Sequence, residues 1–271
     1  MRFTKMHGLG NDFIIIDCRR RAIKNPSQVV KKLSRRRFAV GFDQAILLKG
    51  SRRADFRMEI YNNDGGRVEM CGNGIRCLAS YIWKRGIRKK SPLEIETPAG
   101  IIRPEKAGKL IKVDMGSPVT KGRLIPVRSD EAVISRPFRV KDRTLKITCV
   151  SMGNPHCVIF VKDVDGFPVT EFGPIIERAK FFPKRTNVEF VEIMSRKRLK
   201  MRVWERGSGE TLACGTGASA AAVAAHLNGL ADRSVTVRLR GGNLKIHWSS
   251  KKNRVYMTGP AEEVFEGTVE I

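Results

Sequence analysis

Short apolar runs recur along the 271-residue chain in two successive sets, and their composition is that of strands. Alternation and β-branched residues predict strands at 13–17, 44–49, 56–61, 93–97 and 110–114. A second set follows at 157–161, 187–193, 199–204, 235–239, 244–248 and 254–258. Helices are predicted at 27–37, 75–85, 173–180 and 217–228. The last of these is rich in alanine and stops at Asn228-Gly229, a good C-terminal signal. Such small side chains suit a helix enclosed by sheet. Several strands follow one another with no helix between them, which favours antiparallel pairing.

The two sets are copies of one unit. Shifting the chain by 143 positions places Gly10-Asn11 on Gly153-Asn154, Gln44 on Asn187, Met58 on Met201, Asn62 on Glu205 and Gly66 on Gly209. The register continues without a gap through Cys71/Cys214, Gly72/Gly215, Gly74/Gly217, Ala79/Ala222 and Gly86/Gly229. The expected fold is therefore α/β (α+β): two pseudo-symmetric repeats, each a mainly antiparallel sheet wrapped around a central helix, with the active site in the cleft between them. The expected domains are 1–117 and 118–261, joined near Gly116-Ser117-Pro118, with 262–271 a candidate to return to the first.

Composition adds three constraints. The start, Met1 to Gly8, carries no apolar run of signal-peptide length, and no stretch approaches about 18 apolar residues in succession, so a cytoplasmic protein without a membrane partner is expected. The six cysteines (18, 71, 77, 149, 157 and 214) include no CxxC pair and are expected to be reduced thiols holding no metal. The net charge of +25 fits a nucleic-acid binder. Yet the basic clusters at 19–21, 35–37, 84–90 and 196–200 are scattered over both repeats and lack an interleaved aromatic array. A generally basic surface accounts for them, and no specific nucleic-acid partner is expected.

The chemistry resides in two phrases, CGNG at 71–74 and CGTG at 214–217, each leading into a predicted helix. The glycines permit a tight turn and close approach of a ligand to the backbone, while the first helical turn offers unsatisfied N–H groups. That end attracts anions, and its field is expected to lower the pKa of a cysteine placed there. One such cysteine could be a nucleophile or a small packed side chain. Two in register suggest a base and an acid on opposite faces of one carbon, the arrangement needed for stereochemical inversion next to a carboxylate. Asn11, Gln44, Asn62, Asn73, Asn154 and Asn187 could fix such a substrate, or could serve as turn residues and caps. His156 falls on Phe13 and by spacing alone reads as a packed, hydrogen-bonded histidine. Glu205 falls on Asn62 and reads equally as an ion-pair partner of Arg206. Both break the repeat with ionisable groups, which makes them candidates for setting the charge of the thiols. No dinucleotide fingerprint or phosphate-loop lysine is present, and no cofactor is expected.

MHGLGNDF at 6–13, YNNDGG at 61–66, CGNGIRC at 71–77, ETPAG at 96–100, GNPHCV at 153–158, TNVEFV at 186–191 and ERGSGETLACGTGA at 205–218 together resemble the diaminopimelate epimerase family. The resemblance runs in order over nearly the whole chain. It implies a pyridoxal-independent isomerase interconverting LL- and meso-2,6-diaminopimelate, on the path to lysine and peptidoglycan precursors. It makes Cys71 and Cys214 the acid/base pair and His156 and Glu205 the groups that tune it. Substrate contacts would come from Asn11, Gln44, Asn62, Asn154, Asn187, Glu205 and Arg206, with Gly72-Asn73 and Gly215-Thr216 at the reacting carboxylate. Proline racemase-like relatives typically carry a histidine where this chain has Asn73. A homodimer is also implied, through a surface that includes an aromatic near the C-terminus; here that residue is Phe265, where a tyrosine is common, so a hydroxyl contact is absent.

Overall fold

The chain divides into two compact units, and the computed structural model describes residues 1–270 of it. One unit is Met1–Asp114 with the segment from Thr258 onward, and the other is Met115–Met257. These divisions fall a few residues before those suggested by the repeat. The reason is local: Met115 N donates to Val255 O and Val255 N to Gly116 O, so the linker is zipped into the second unit.

The first unit holds β1 (Arg2–Gly8), β2 (Asn11–Asp17), α1 (Pro26–Leu33), β3 (Gln44–Lys49), β4 (Phe56–Asn62), β5 (Arg67–Val68), α2 (Gly72–Lys84), β6 (Ile95–Thr97), β7 (Gly100–Ile102), β8 (Pro104–Ala107) and β9 (Leu110–Asp114). The second holds β10 (Arg136–Val140), β11 (Arg143–Ser151), β12 (Pro155–Phe160), α3 (Val169–Glu177), β13 (Asn187–Ser195), β14 (Arg198–Glu205), β15 (Gly209–Thr211), α4 (Gly215–Leu227), β16 (Ser234–Leu239) and β17 (Gly242–Ser249). β18 (Arg254–Gly259) follows, and β19 (Glu262–Thr268) closes the first sheet by pairing antiparallel to β1.

The duplication seen in the sequence reappears as pairing register. Phe13 lies opposite Gln44 in the parallel pair β2–β3, and His156 lies opposite Asn187 in the parallel pair β12–β13. Ala45 faces Tyr61 across antiparallel β3–β4, as Val188 faces Trp204 across β13–β14. The chain then crosses over through the central helix to a second parallel pair, β4–β6 in one sheet and β14–β16 in the other. The remaining pairs are antiparallel in the main.

Several strands escaped the hydrophobic pattern, β1 and β11 among them, and for these two the reasons are identifiable. β1 buries Thr4 and Lys5 beside Phe3 and Met6, so its apolar residues do not alternate; Lys5 is tolerated there because Asp12 lies 2.7 Å from its ammonium. β11 is exposed at its start and buried over Ile147–Ser151, where Thr148 and Ser151 interrupt the apolar run. Helix α1 stops at Leu33, short of the predicted 37, because Gly41 (φ +69°) turns the chain back and donates its N–H to Leu33 O. Arg36, expected within that helix, instead reaches Asp12 and Asp43.

Helix α4 is buried on every side, from Ala218 through Ala225, against β11, β12, β13, β14, β16 and β17. Alanine there combines high helix propensity with the small radius that lets a sheet wrap closely around the axis. Helix α2 instead exposes Trp83 and Lys84 in part and buries Ile75, Leu78, Ala79 and Ile82. An Ala221→Leu variant, adding three methylene-sized groups at a fully buried position, should lose about 1–3 kcal/mol through overpacking. Urea unfolding followed by circular dichroism measures this, and an unchanged midpoint would show spare room around α4.

Candidate active site

Each CGxG phrase builds the same cap. Cys71 (φ −138°, ψ 119°) and Cys214 (φ −123°, ψ 114°) end an extended segment, and the helix begins at the next residue. The sulfur takes the place usually held by a Ser or Asp oxygen. Cys71 Sγ accepts from Gly74 N at 3.5 Å, and Cys214 Sγ from Gly217 N at 3.4 Å. The second glycine of each phrase is fixed by space. A Cβ on Gly74 would lie 3.2 Å from Ile46 Cδ1, Ile60 Cδ1 and Phe13 Cε1, whereas one on Gly217 would lie 2.7 Å from Glu189 Oε1 and 3.3 Å from Cys214 Sγ.

In the first unit the site residues sit at strand ends around the start of α2. Asn11, opening β2, accepts from the Cys71 thiol (3.8 Å) and from Asn73 Nδ2 (3.4 Å) on its Oδ1. Its own Nδ2 donates to Asp43 Oδ2 at 3.1 Å, which orients the carboxamide with its oxygen toward the sulfur. Asp43 is held in turn by Arg36, which also grips Asp12. Burial alone would raise the Asp12 pKa, but the Arg36 and Lys5 cations overcome it and hold the carboxyl well below its usual range. Gln44 and Asn62 meet at 2.8 Å across β3–β4, and Gln44 Oε1 is buried with no hydrogen-bond partner. Arg76 is fully buried beneath Asn73, donating to Asn73 Oδ1 (3.0 Å), Gly72 O (3.3 Å) and Pro260 O (3.1 Å).

In the second unit Asn154, His156, Glu205, Cys214 and Thr216 come together. Asn154 Nδ2 donates to Thr216 Oγ1 (3.3 Å), and Thr216 Oγ1 lies 3.5 Å from Cys214 Sγ. His156 Nε2 is 2.9 Å from Asn154 Oδ1, and its Nδ1 is 2.7 Å from Glu189 Oε1. Glu205 receives the Thr211 hydroxyl and the Cys214 thiol, not the Arg206 guanidinium. Asn187 and Arg206 form a separate pair: Asn187 Oδ1 accepts from Arg206 N (2.9 Å) while its Nδ2 donates to Pro155 O (3.0 Å). The Arg206 guanidinium donates to Lys184 O. Glu177 secures this segment from α3, accepting from Gly207 N (3.1 Å) and from Trp204 Nε1 (2.8 Å).

The electrostatics correct one expectation. The helix N-terminus was expected to lower the pKa of both cysteines, but burial pushes the Cys214 thiol well above its ordinary value. The Glu205 and Glu189 carboxylates push the same way, against the Thr216 hydroxyl and the Gly217 N–H. Desolvation of a whole sulfur outweighs the partial charge of one helix end. Burial likewise raises Glu205, with the Glu189 charge adding to it and the Thr211 and Cys214 hydrogen bonds opposing.

Glu189, Asp43 and Arg76 were not singled out from sequence. For Glu189 a signal existed: it interrupts the apolar run Val188 to Val191 and falls on Ile46 in the 143-residue register. Asp43 and Arg76 act through other side chains, and nothing in their spacing marks them. Among the described residues, no three His, Cys, Asp or Glu side chains are grouped as metal ligands.

The model of the diaminopimelate epimerase family matches residues 3–121 and 148–264, most of both units. The chain belongs to the diaminopimelate epimerase family. A diaminopimelate epimerase of Acetivibrio thermocellus is 52% identical over 100% of this chain and 99% of its own length, and one of Moorella thermoacetica is 49% identical over 98% of each. The solved structure of a Bacillus anthracis phenazine biosynthesis protein of the PhzF family is 18% identical. It superposes with a TM-score of 0.75 over 100% of this chain and 99% of that one, a likeness of fold.

The buried thiols of this epimerase-family chain make its stability depend on pH. Burial raises Cys18 to about 11 and Cys77 to about 12, and raises Cys157 and Cys214 well above the ordinary 9.0. Above pH 9 the unfolded chain releases these protons and the folded chain retains them, so stability present below pH 9 is lost as pH rises. Each thiol contributes a slope of up to about 1.4 kcal/mol per pH unit over that window. Urea midpoints at pH 8 and pH 10.5 test this; equal midpoints would mean that the thiols ionise freely in the folded state.

Proposed function

We propose that the chain is a cofactor-independent isomerase that interconverts LL- and meso-2,6-diaminopimelate, with Cys71 and Cys214 as its acid/base pair. The observation that carries the reading is the duplicated cap: two sulfurs, each bonded to the third N–H of a buried helix, in a chain of this family. One thiolate removes the α-proton and the other thiol protonates the opposite face, so the reverse reaction uses the same groups with roles exchanged. The backbone N–H groups of Gly72-Asn73 and Gly215-Thr216 stabilise the carboxylate as negative charge builds on it; one such donor contributes about 3–4 kcal/mol in comparable sites. A metal or pyridoxal group has no step to perform in this scheme.

Asn11, Asn62, Asn154 and Asn187 contact the substrate at the two half-sites, with Gln44 offering its unpartnered buried Oε1 to an ammonium group. Arg206, keeping guanidinium N–H groups beyond the one on Lys184 O, receives the distal carboxylate, and Glu205 beside it belongs to the substrate set. His156 and Glu205 set the proton balance of Cys214. No helix among the described residues is long and apolar enough to cross a membrane, and a cytoplasmic homodimer belongs to the same reading. Supporting the dimer, Val264 and Phe265 are 56% and 48% exposed on β19, at the edge of the first sheet.

Reduced protein incubated with LL-diaminopimelate in deuterated water should wash the α-proton out and accumulate the meso isomer, both read by NMR. Cys71→Ala and Cys214→Ala should each lower epimerisation by about a thousandfold or more. Well-folded protein that exchanges no proton would refute the substrate, and substantial turnover by either alanine variant would refute the two-base mechanism.

A further inference from the structure

Beneath the first turn of each central helix lies one side chain from each of two adjacent parallel strands. Under α2 these are Phe13 and Ile46, whose terminal carbons line the space around Gly74. Under α4 the equivalent places in the repeat are taken by His156 and Glu189, both completely buried, with Glu189 Oε1 against Gly217. An apolar pair has become an ionisable one in only one of the two copies.

The bonds of that pair lead to the sulfur. Glu189 Oε1 lies 2.7 Å from His156 Nδ1, and His156 Nε2 lies 2.9 Å from Asn154 Oδ1. Asn154 Nδ2 donates to Thr216 Oγ1 at 3.3 Å, and Thr216 Oγ1 is 3.5 Å from Cys214 Sγ. With the Cys214 thiol bonded to Glu205, the Thr216 hydroxyl is left to donate to the sulfur. Each member orients the next. The far oxygen of Glu189, Oε2, is buried and has no hydrogen-bond partner, a costly arrangement that packing alone does not call for.

Resting on the epimerase reading of Cys214, we propose that Glu189 is a positioning residue of the second half-site. Through His156, Asn154 and Thr216 it fixes the hydrogen bonding around the Cys214 sulfur and makes the two repeated thiols inequivalent. Substrate is not within its reach; its effect is exerted on Cys214. The charges that act on this sulfur are Glu189 from β13 and Glu205 from β14, with His156 of β12 placed between Glu189 and Asn154.

The test compares wild type with Glu189→Gln, which keeps the shape and removes the charge, and with the double variant His156→Phe/Glu189→Ile, which installs the first unit's own pair. Site-resolved iodoacetamide labelling, read by peptide mass spectrometry across pH, follows Cys71 and Cys214 separately and needs no substrate. In Glu189→Gln the Cys214 profile should move to lower pH while that of Cys71 stays. Its kcat should fall about 10- to 100-fold, as for loss of an orienting partner behind a reactive group, with KM changed by no more than about threefold. In the double variant, shown folded by circular dichroism, the two labelling profiles should converge. A Cys214 profile unmoved in both variants, or one that shifts only in step with Cys71, overturns the proposal. Should wild type fail to exchange the α-proton of diaminopimelate, the substrate reading falls, while the labelling comparison still decides the role of Glu189.

Discussion

A sulfur that accepts the third N–H of a helix is held to within a narrow arc, and much of the rest of the chain is arranged around that bond. The residue before the helix must be extended and the next must begin the turn. The third must leave room for the sulfur and for what lies beneath it, which is why it is glycine in both copies. The cap is then only as well placed as the helix behind it. α4 is ringed by sheet and α2 is pinned by apolar residues and the buried Arg76, so both sulfurs stand on rigid elements, with Asn11 reaching Cys71 directly and Asn154 reaching Cys214 through Thr216.

Much of this could be read in the sequence because duplication leaves a record that physics does not blur. The 143-residue register predicted which strand positions correspond, and the structure pairs Phe13 with Gln44 and His156 with Asn187 at that offset. The caps, the alanine-rich helix and the mainly antiparallel sheets were equally legible, each following from a local pattern. β1 was not, because a buried lysine and threonine disguise it, and its lysine is explained only by Asp12 on the neighbouring strand. Nor was the direction of the Cys214 shift legible. A helix N-terminus can be seen in a sequence, but the extent of burial and the approach of Glu189 and Glu205 exist only after folding. Asp43, which aims Asn11 at Cys71, belongs with these: its role is a contact between loops, with no period to announce it.

The excess of basic residues stands apart from the site. Many are engaged in surface pairs, such as Arg85 with Glu263 and Glu266 or Arg103 with Glu94, which contribute little individually in water. With 52 basic side chains against 27 acidic ones, most of the surplus has no acidic counterpart. Nothing in the geometry of either half-site explains it.

The contrast between the copies is sharpest where it is most costly. Replacing a buried ionisable pair by apolar residues of similar size is often neutral or stabilising by about 1–4 kcal/mol. Here the first unit supplies the apolar version on an equivalent backbone: Phe13 and Ile46 fill the space under α2 with no polar atom to satisfy. The fold therefore does not need His156 and Glu189 for its stability. A two-base inversion does need a difference between its thiols, since at any moment one must hold the proton that the other lacks, and two identical environments would leave that choice to the substrate alone. Cys214, buried beneath two carboxylates, and Cys71, half-buried beside Asn11, are not identical environments. The polar pair stands at the place in the repeat where that difference begins.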